Sequence, residues 1–213
     1  LYDSSADYNS GINDAFVAAA EENGLEIVAD EAYTADSNTD FSVQLKKIKD
    51  SGAELLFLPN YYADNALILQ QAHDAGMDDV KKFGVDGMDG ILTLDNFDTA
   101  LAEDVMLLTP FTADAEDELT KKFVTTYKEK FGEVPNQFAA DTYDAMLIIK
   151  EAAEKAGVTP DMSVSDICEA MKTAMTEITF DGLTGEGMTW SADGEPAKAP
   201  KAMKIVDGAY TAM

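Results

Sequence analysis

Leu55-Leu56-Phe57-Leu58-Pro59-Asn60-Tyr61-Tyr62 is the stretch that decides the fold class of this chain. Four consecutive apolar residues read as a strand buried on both faces, the pattern of a parallel sheet covered by helices. On its amino-terminal side, Thr39 or Asp40 caps an expected helix carrying Phe41, Leu45 and Ile48 and closed by Gly52. Before that helix, Glu26 to Tyr33 reads as a strand. Asn9 to Asn23 has Ile12, Ala15, Phe16, Ala19 and Ala20 at helical spacing, with Gly24 as its C′ residue. On the carboxyl side, Ala63 to Ala75 reads as a helix ending at Gly76, Lys82 to Val85 as a strand, Ile91 to Phe97 as a short helix and Val105 to Thr109 as a strand. Short apolar runs alternating with amphipathic stretches are the signature of βα units, so the fold class is α/β with a parallel sheet.

After Pro110 the pattern changes. Ala115 to Phe131, Asn136 to Ala156 and Val164 to Met175 read as helices with almost no strand between them. From Phe180 onward the chain is strand-like and broken by Gly182, Gly185 and Gly187. The expected pairing joins Met188-Thr189-Trp190 to Met203-Lys204-Ile205-Val206 through a turn at Ser191-Ala192-Asp193-Gly194.

The 213 residues suffice for one large domain or two small ones, and 46% hydrophobic residues argue against disorder. A net charge of −26 excludes nucleic acid and anionic membranes as natural partners, because both need basic patches. The single Cys168 excludes an intramolecular disulfide. No apolar run approaches the roughly 20 residues that span a bilayer. Leu1-Tyr2-Asp3 reads as the last residues of a buried strand, so the expectation is a fragment of something longer.

Catalytic and cofactor chemistry finds no support. His73, the only histidine, lies on a helix in Gln70-Gln71-Ala72-His73-Asp74 and reads as a structural or surface residue. Cys168, between Ile167 and Ala170, reads as a small apolar filler. There is no Gly-x-Ser-x-Gly elbow and no zinc-like Cys/His spacing. Gly84-Val85-Asp86-Gly87-Met88-Asp89-Gly90 spaces its glycines three apart, unlike the Gly-x-Gly-x-x-Gly of dinucleotide sites. Asp36-Ser37-Asn38-Thr39-Asp40 begins like a calcium loop, but Phe41 stands where glycine is required and Lys47 where glutamate is required. Neither a cofactor nor a metal is expected.

Three strand ends remain. Ligands of open parallel sheets bind beyond the carboxyl ends of the strands, and there the chain places Tyr8, Tyr61 and Asp86. By spacing alone these are equally ordinary loop residues. Chemically they suit a zwitterion. Asp86 can pair with an ammonium group, a charge-assisted bond worth roughly 1.5–3 kcal/mol, and the tyrosines add hydroxyls and flat apolar faces.

Several of these stretches together resemble the branched-chain amino-acid binding proteins of ABC importers. They are Tyr2-Asp3-Ser4-Ser5-Ala6-Asp7-Tyr8-Asn9-Ser10-Gly11, Asp40-Phe41-Ser42, Phe57 to Tyr62, Asp86-Gly87, Asn136-Gln137-Phe138-Ala139-Ala140-Asp141-Thr142-Tyr143-Asp144-Ala145 and Gly182-Leu183-Thr184-Gly185. The resemblance covers essentially the whole chain and implies a two-lobed, type I periplasmic-binding fold that closes on an amino acid. It assigns Tyr8, Tyr61 and Asp86 to ligand contacts of the second lobe, with Asp86 receiving the α-ammonium, and sets Phe138 near the ligand side chain. It implies that 1–109 and 185–213 form the second lobe. Residues 110–184 would be a helical remnant of the first lobe, whose carboxylate-binding loops are absent. Leu119, Phe123, Tyr127, Met146, Leu147 and Ile148 would then expose apolar surface, inviting a domain-swapped homodimer. An extracytoplasmic location and a membrane permease partner are implied as well. The rival expectation on the same fold is a ligand-sensing domain of a receptor or regulator.

Overall fold

The computed structural model describes residues 1–213 as a mixed α/β chain with a largely parallel sheet. Contacts divide it into two units, Leu1–Thr109 with Ala202–Met213, and Pro110–Lys201. No helix is long and apolar enough to cross a membrane.

The first unit begins with β1 (Tyr2–Asp3), α1 (Asp7–Glu22), β2 (Ala32–Tyr33), α2 (Ser42–Asp50), β3 (Leu55–Leu58), α3 (Tyr62–Asp74), β4 (Lys81–Gly84) and β5 (Met106–Thr109). β1 pairs parallel with β2, and β3, β4 and β5 pair parallel in that order. Gly24, Gly52 and Gly76 follow the first three helices with φ of 69°, 77° and 68°, the left-handed turn that glycine enters without a Cβ penalty. Phe41, Leu45, Leu56, Leu58, Ile68, Leu69, Met88, Ile91 and Leu107 are buried in one core. Each such side chain contributes roughly 1.5–3 kcal/mol on burial.

Three readings of this unit need correction. Only Ala32 and Tyr33 of the expected strand Glu26 to Tyr33 form ladder pairs, opposite Tyr2 and Asp3. Leu25–Asp30 lines an apolar trough of about 490 Å³ together with Gly52–Phe57, and without a backbone ladder partner it forms no strand. The same trough leaves β3 buried on one face only. Leu56 and Leu58 are buried, whereas Leu55 is exposed and Phe57 stacks on Phe16 with ring centroids 3.9 Å apart. Ile91 to Phe97 is no helix beyond a 3₁₀ turn at Ile91–Thr93.

The second unit holds α4 (Glu118–Phe131), α5 (Gln137–Lys155) and α6 (Val164–Met175), capped by the side chains of Asp117, Asn136 and Ser163. Two small apolar clusters serve it, Phe111 with Val124, Ala140 and Leu183, and Ala152 with Ala174 and Ile178. Ile148 packs against the second cluster instead of lying exposed. Phe123 is partly buried against the first. Tyr127 is half-buried, whereas Leu119, Met146 and Leu147 are exposed as expected, and Phe131, Tyr143 and Ile149 are exposed too.

The tail pairs differently from the expectation. β6 (Thr189–Trp190) pairs antiparallel with β7 (Pro196–Ala197), because the turn at Ser191 closes at once onto Glu195, whose carbonyl accepts the Ser191 N–H at 3.0 Å. β8 (Lys201–Val206) pairs instead with β9 (Ala209–Ala212) across Asp207-Gly208, at φ of 51° and 73°. Two left-handed residues are the two-residue turn that matches strand twist. β8 and β9 extend the sheet to β3-β4-β5-β8-β9. Residues 185–201, read from the resemblance as second-lobe sequence, stay with the Pro110–Lys201 unit in this division.

Candidate functional site

The strand ends of the first unit are held together by one side chain. Asn60, fully buried just past β3, accepts from the Asp3 N–H at 3.1 Å and the Asn9 amide at 3.0 Å through Oδ1. Its Nδ2 donates to the Leu1 carbonyl at 3.0 Å and to Asn65 Oδ1 at 3.2 Å. All four hydrogen-bonding positions of the amide are thereby used, and they join the end of β1, the first turn of α1 and the first turn of α3. The register Leu58↔Gly84 sets the residues after β3 beside those after β4. Tyr8, Tyr61 and Asp86 therefore converge.

The Tyr8 hydroxyl donates to Asp86 Oδ1 at 2.6 Å and accepts the Gly87 N–H at 3.0 Å. Burial first, then the hydrogen bond and charge of Asp86, raise the Tyr8 hydroxyl well above its ordinary range, so it stays a donor. Tyr8 stacks on Tyr61, centroids 4.8 Å apart and planes 22° apart. Tyr61 is 46% exposed, which makes the pair an aromatic wall open on one side. Gly87 is required by space: a Cβ there would lie 2.8 Å from the Tyr8 hydroxyl and 3.1 Å from the Asn60 carbonyl. The result is an oriented carboxylate beside a flat aromatic surface, a set that can receive an ammonium group and cover an adjoining apolar one.

Phe138 lies in the other unit, on the first turn of α5, where the Asn136 side chain accepts the Ala139 N–H at 3.2 Å. That unit has its own organising carboxylate. Asp144 is buried and accepts from the Leu183 N–H at 3.0 Å, the Thr184 N–H at 2.8 Å and the Thr184 hydroxyl at 2.9 Å. The two sequence stretches 136–145 and 182–185 are thus one structural feature. His73, exposed, bonds Asp78 at 2.7 Å, and Cys168 is exposed instead of filling the interior. No group of three or more His, Cys, Asp or Glu side chains is gathered to hold a metal ion.

Sequence reasoning missed Asn60, Asp89 and Tyr210. The Tyr210 hydroxyl, on β9, bonds the Asp89 carboxylate and accepts the Gly90 N–H at 3.2 Å. The Asp-Gly step repeated at 86–87 and 89–90 was the available signal; what each step binds is set by chain folding.

A family model described as Periplasmic binding protein matches residues 1–209. A Leu/Ile/Val-binding protein homolog of Brucella melitensis is 30% identical over 156 residues, covering 72% of this chain and 40% of its own length. The leucine-, isoleucine-, valine-, threonine- and alanine-binding protein of Pseudomonas aeruginosa is 26% identical over 181 residues, covering 84% of this chain and 45% of itself. The chain thus spans less than half the length of these curated relatives. Among solved structures, the leucine binding protein LivK of Thermotoga maritima superimposes with a TM-score of 0.84 at 25% identity, over all of this chain and 58% of that one. LivJ of Streptococcus pneumoniae, solved in complex with isoleucine, gives 0.80 at 27% identity, over 99% of this chain and 57% of that one.

Proposed function

The chain belongs to the periplasmic binding protein family, and on that footing we propose that it is part of the solute-binding component of an ABC importer for an amino acid, branched-chain or similar. The observation that carries this reading is the Tyr8–Asp86 bond of 2.6 Å beside the Tyr8–Tyr61 stack. In the proposed mechanism Asp86 receives the α-ammonium, Tyr8 and Tyr61 cover the ligand, and Phe138 meets its side chain. Residues 1–109 and 202–213 act as the second lobe, and 110–201, including the stretch 185–201 that the resemblance assigns to the second lobe, belong to the first. Contacts made only when both lobes engage the ligand stabilise the closed state, a population shift needing no catalysis. The family is one of solute-binding proteins and not of enzymes. Relatives named for binding leucine, isoleucine and valine favour transport over a sensor domain. The protein then works outside the cytoplasm and delivers its ligand to a membrane permease. The exposed face of Leu119, Phe131, Tyr143 and Met146 supports exchange of helices between two copies of this piece; a monomer by light scattering would refute that exchange.

The test is calorimetry on the full-length protein with a panel of amino acids. Asp86→Ala should weaken binding by roughly 1.5–3 kcal/mol, about 10- to 150-fold. Unchanged affinity would overturn the ammonium assignment.

A further inference from the structure

The turn that carries Asp86 is built with a repeat. In Asp86-Gly87-Met88-Asp89-Gly90 each aspartate meets one tyrosine hydroxyl, and that hydroxyl accepts the N–H of the glycine that follows. Tyr8 reaches the first step from α1. Tyr210 reaches the second from β9, on the other side of the sheet order. The Tyr210 hydroxyl accepts the Gly90 N–H at 3.2 Å and faces the Asp89 carboxylate. Burial first, then the Asp89 charge, hold that hydroxyl far above its ordinary range and keep it protonated. Asp89 is only 4% exposed, and Gly90 takes φ of 104°, a backbone state that side chains avoid. Such a turn is over-determined from both ends.

We infer that Tyr210 and Asp89 are positioning residues for Asp86, tying the ligand-binding carboxylate to the β8–β9 hairpin. This rests on the amino-acid reading proposed above. Without the Tyr210 hydroxyl, the Gly90 amide and the Asp89 carboxylate lose their shared partner, and the segment that orients Asp86 loosens at its far end. Ligand affinity falls because the carboxylate must be ordered at the moment of binding. Tyr210 touches no ligand in this account; it acts through Asp86 alone.

The experiment is a double-mutant cycle in the full-length protein, with L-leucine, L-isoleucine and L-valine titrated calorimetrically into the millimolar range. Tyr210→Phe is expected to weaken binding about tenfold in the wild-type background and less than twofold in Asp86→Asn. A general structural role would cost the same in both backgrounds, and that result, or no loss in the wild type, overturns the inference while leaving the amino-acid reading intact. If Asp86→Asn itself binds as tightly as wild type, the reading fails and the inference with it. Asp89→Asn, which keeps the shape of the side chain, repeats the cycle should Tyr210→Phe not fold.

Discussion

Asp144→Asn isolates the value of a buried carboxylate with almost no change of shape. The native oxygens accept three hydrogen bonds from Leu183 and Thr184. An asparagine has one acceptor oxygen. Set at the Oδ2 position it keeps both Thr184 bonds, but its amide then faces the Leu183 N–H, donor against donor where 3.0 Å now separates partners. Losing one hydrogen bond to a charged acceptor costs roughly 1.5–3 kcal/mol, and a buried N–H left unpaired adds about 1–3. Removing a buried charge returns part of this, so a net loss of about 2–4 kcal/mol is expected. Urea unfolding followed by circular dichroism reads it as a lower midpoint at unchanged slope. Gly182→Ala supplies the cross-check, since its Cβ would sit 2.5 Å from Asp144 Oδ2. That substitution should be costly in the native background and mild in Asp144→Ala, where the carboxylate is gone. A change within 0.5 kcal/mol for Asp144→Asn would refute the reasoning.

Asn60→Asp keeps both acceptor contacts but turns its two donors into oxygen facing the Leu1 carbonyl and Asn65 Oδ1; a loss of roughly 3 kcal/mol or more is expected by urea unfolding, whereas an exposed asparagine would change little. Gly87→Ala should weaken amino-acid binding by displacing Tyr8 from Asp86, with calorimetry as the readout. Gly208→Ala should cost about 1 kcal/mol of stability by urea unfolding, because φ of 73° disfavours a side chain. With a single histidine in the chain, its imidazole ring resonances can be followed by proton NMR without ambiguity. Its hydrogen bond to Asp78 and the Asp78 charge raise the His73 pKa, so its midpoint should lie above 6.5 and fall back in Asp78→Asn. The small stability this pair adds is present below the unfolded midpoint and lost as pH rises through the folded one.

What could be read in advance followed from local physics. The apolar runs of β3 and β5 and the glycines closing α1, α2 and α3 announce themselves over a few residues. What failed was non-local. Glu26 to Tyr33 has the composition of a strand, yet ladder pairs form only where another backbone lies alongside, at Tyr2 and Asp3. The tail was misread because Met188 to Trp190 matches either of two partners by pattern, and the nearer one, Pro196–Ala197, closes the smaller loop. Tyr8, Tyr61 and Asp86 were legible as strand-end residues. The Asn60 amide that gathers the strand ends was not, since its partners are spread from Leu1 to Asn65.

The Asp-Gly step shows why a turn signal alone does not separate scaffold from site. It occurs five times, at 86–87, 89–90, 181–182, 193–194 and 207–208, and three of these show the contrast. At 207–208 both residues are left-handed, as strand twist requires of a two-residue turn. At 89–90 only the glycine is left-handed, while the aspartate is buried against Tyr210. At 86–87 neither residue is left-handed, and the glycine is needed because Tyr8 and the Asn60 carbonyl leave no room for a Cβ. Left-handed backbone therefore explains the glycine at 208 and not the one at 87, beside the proposed ligand carboxylate. A glycine whose φ any residue could adopt, kept small by a neighbouring hydroxyl, points to the side chain it accommodates. Here that side chain is Tyr8, the partner of Asp86.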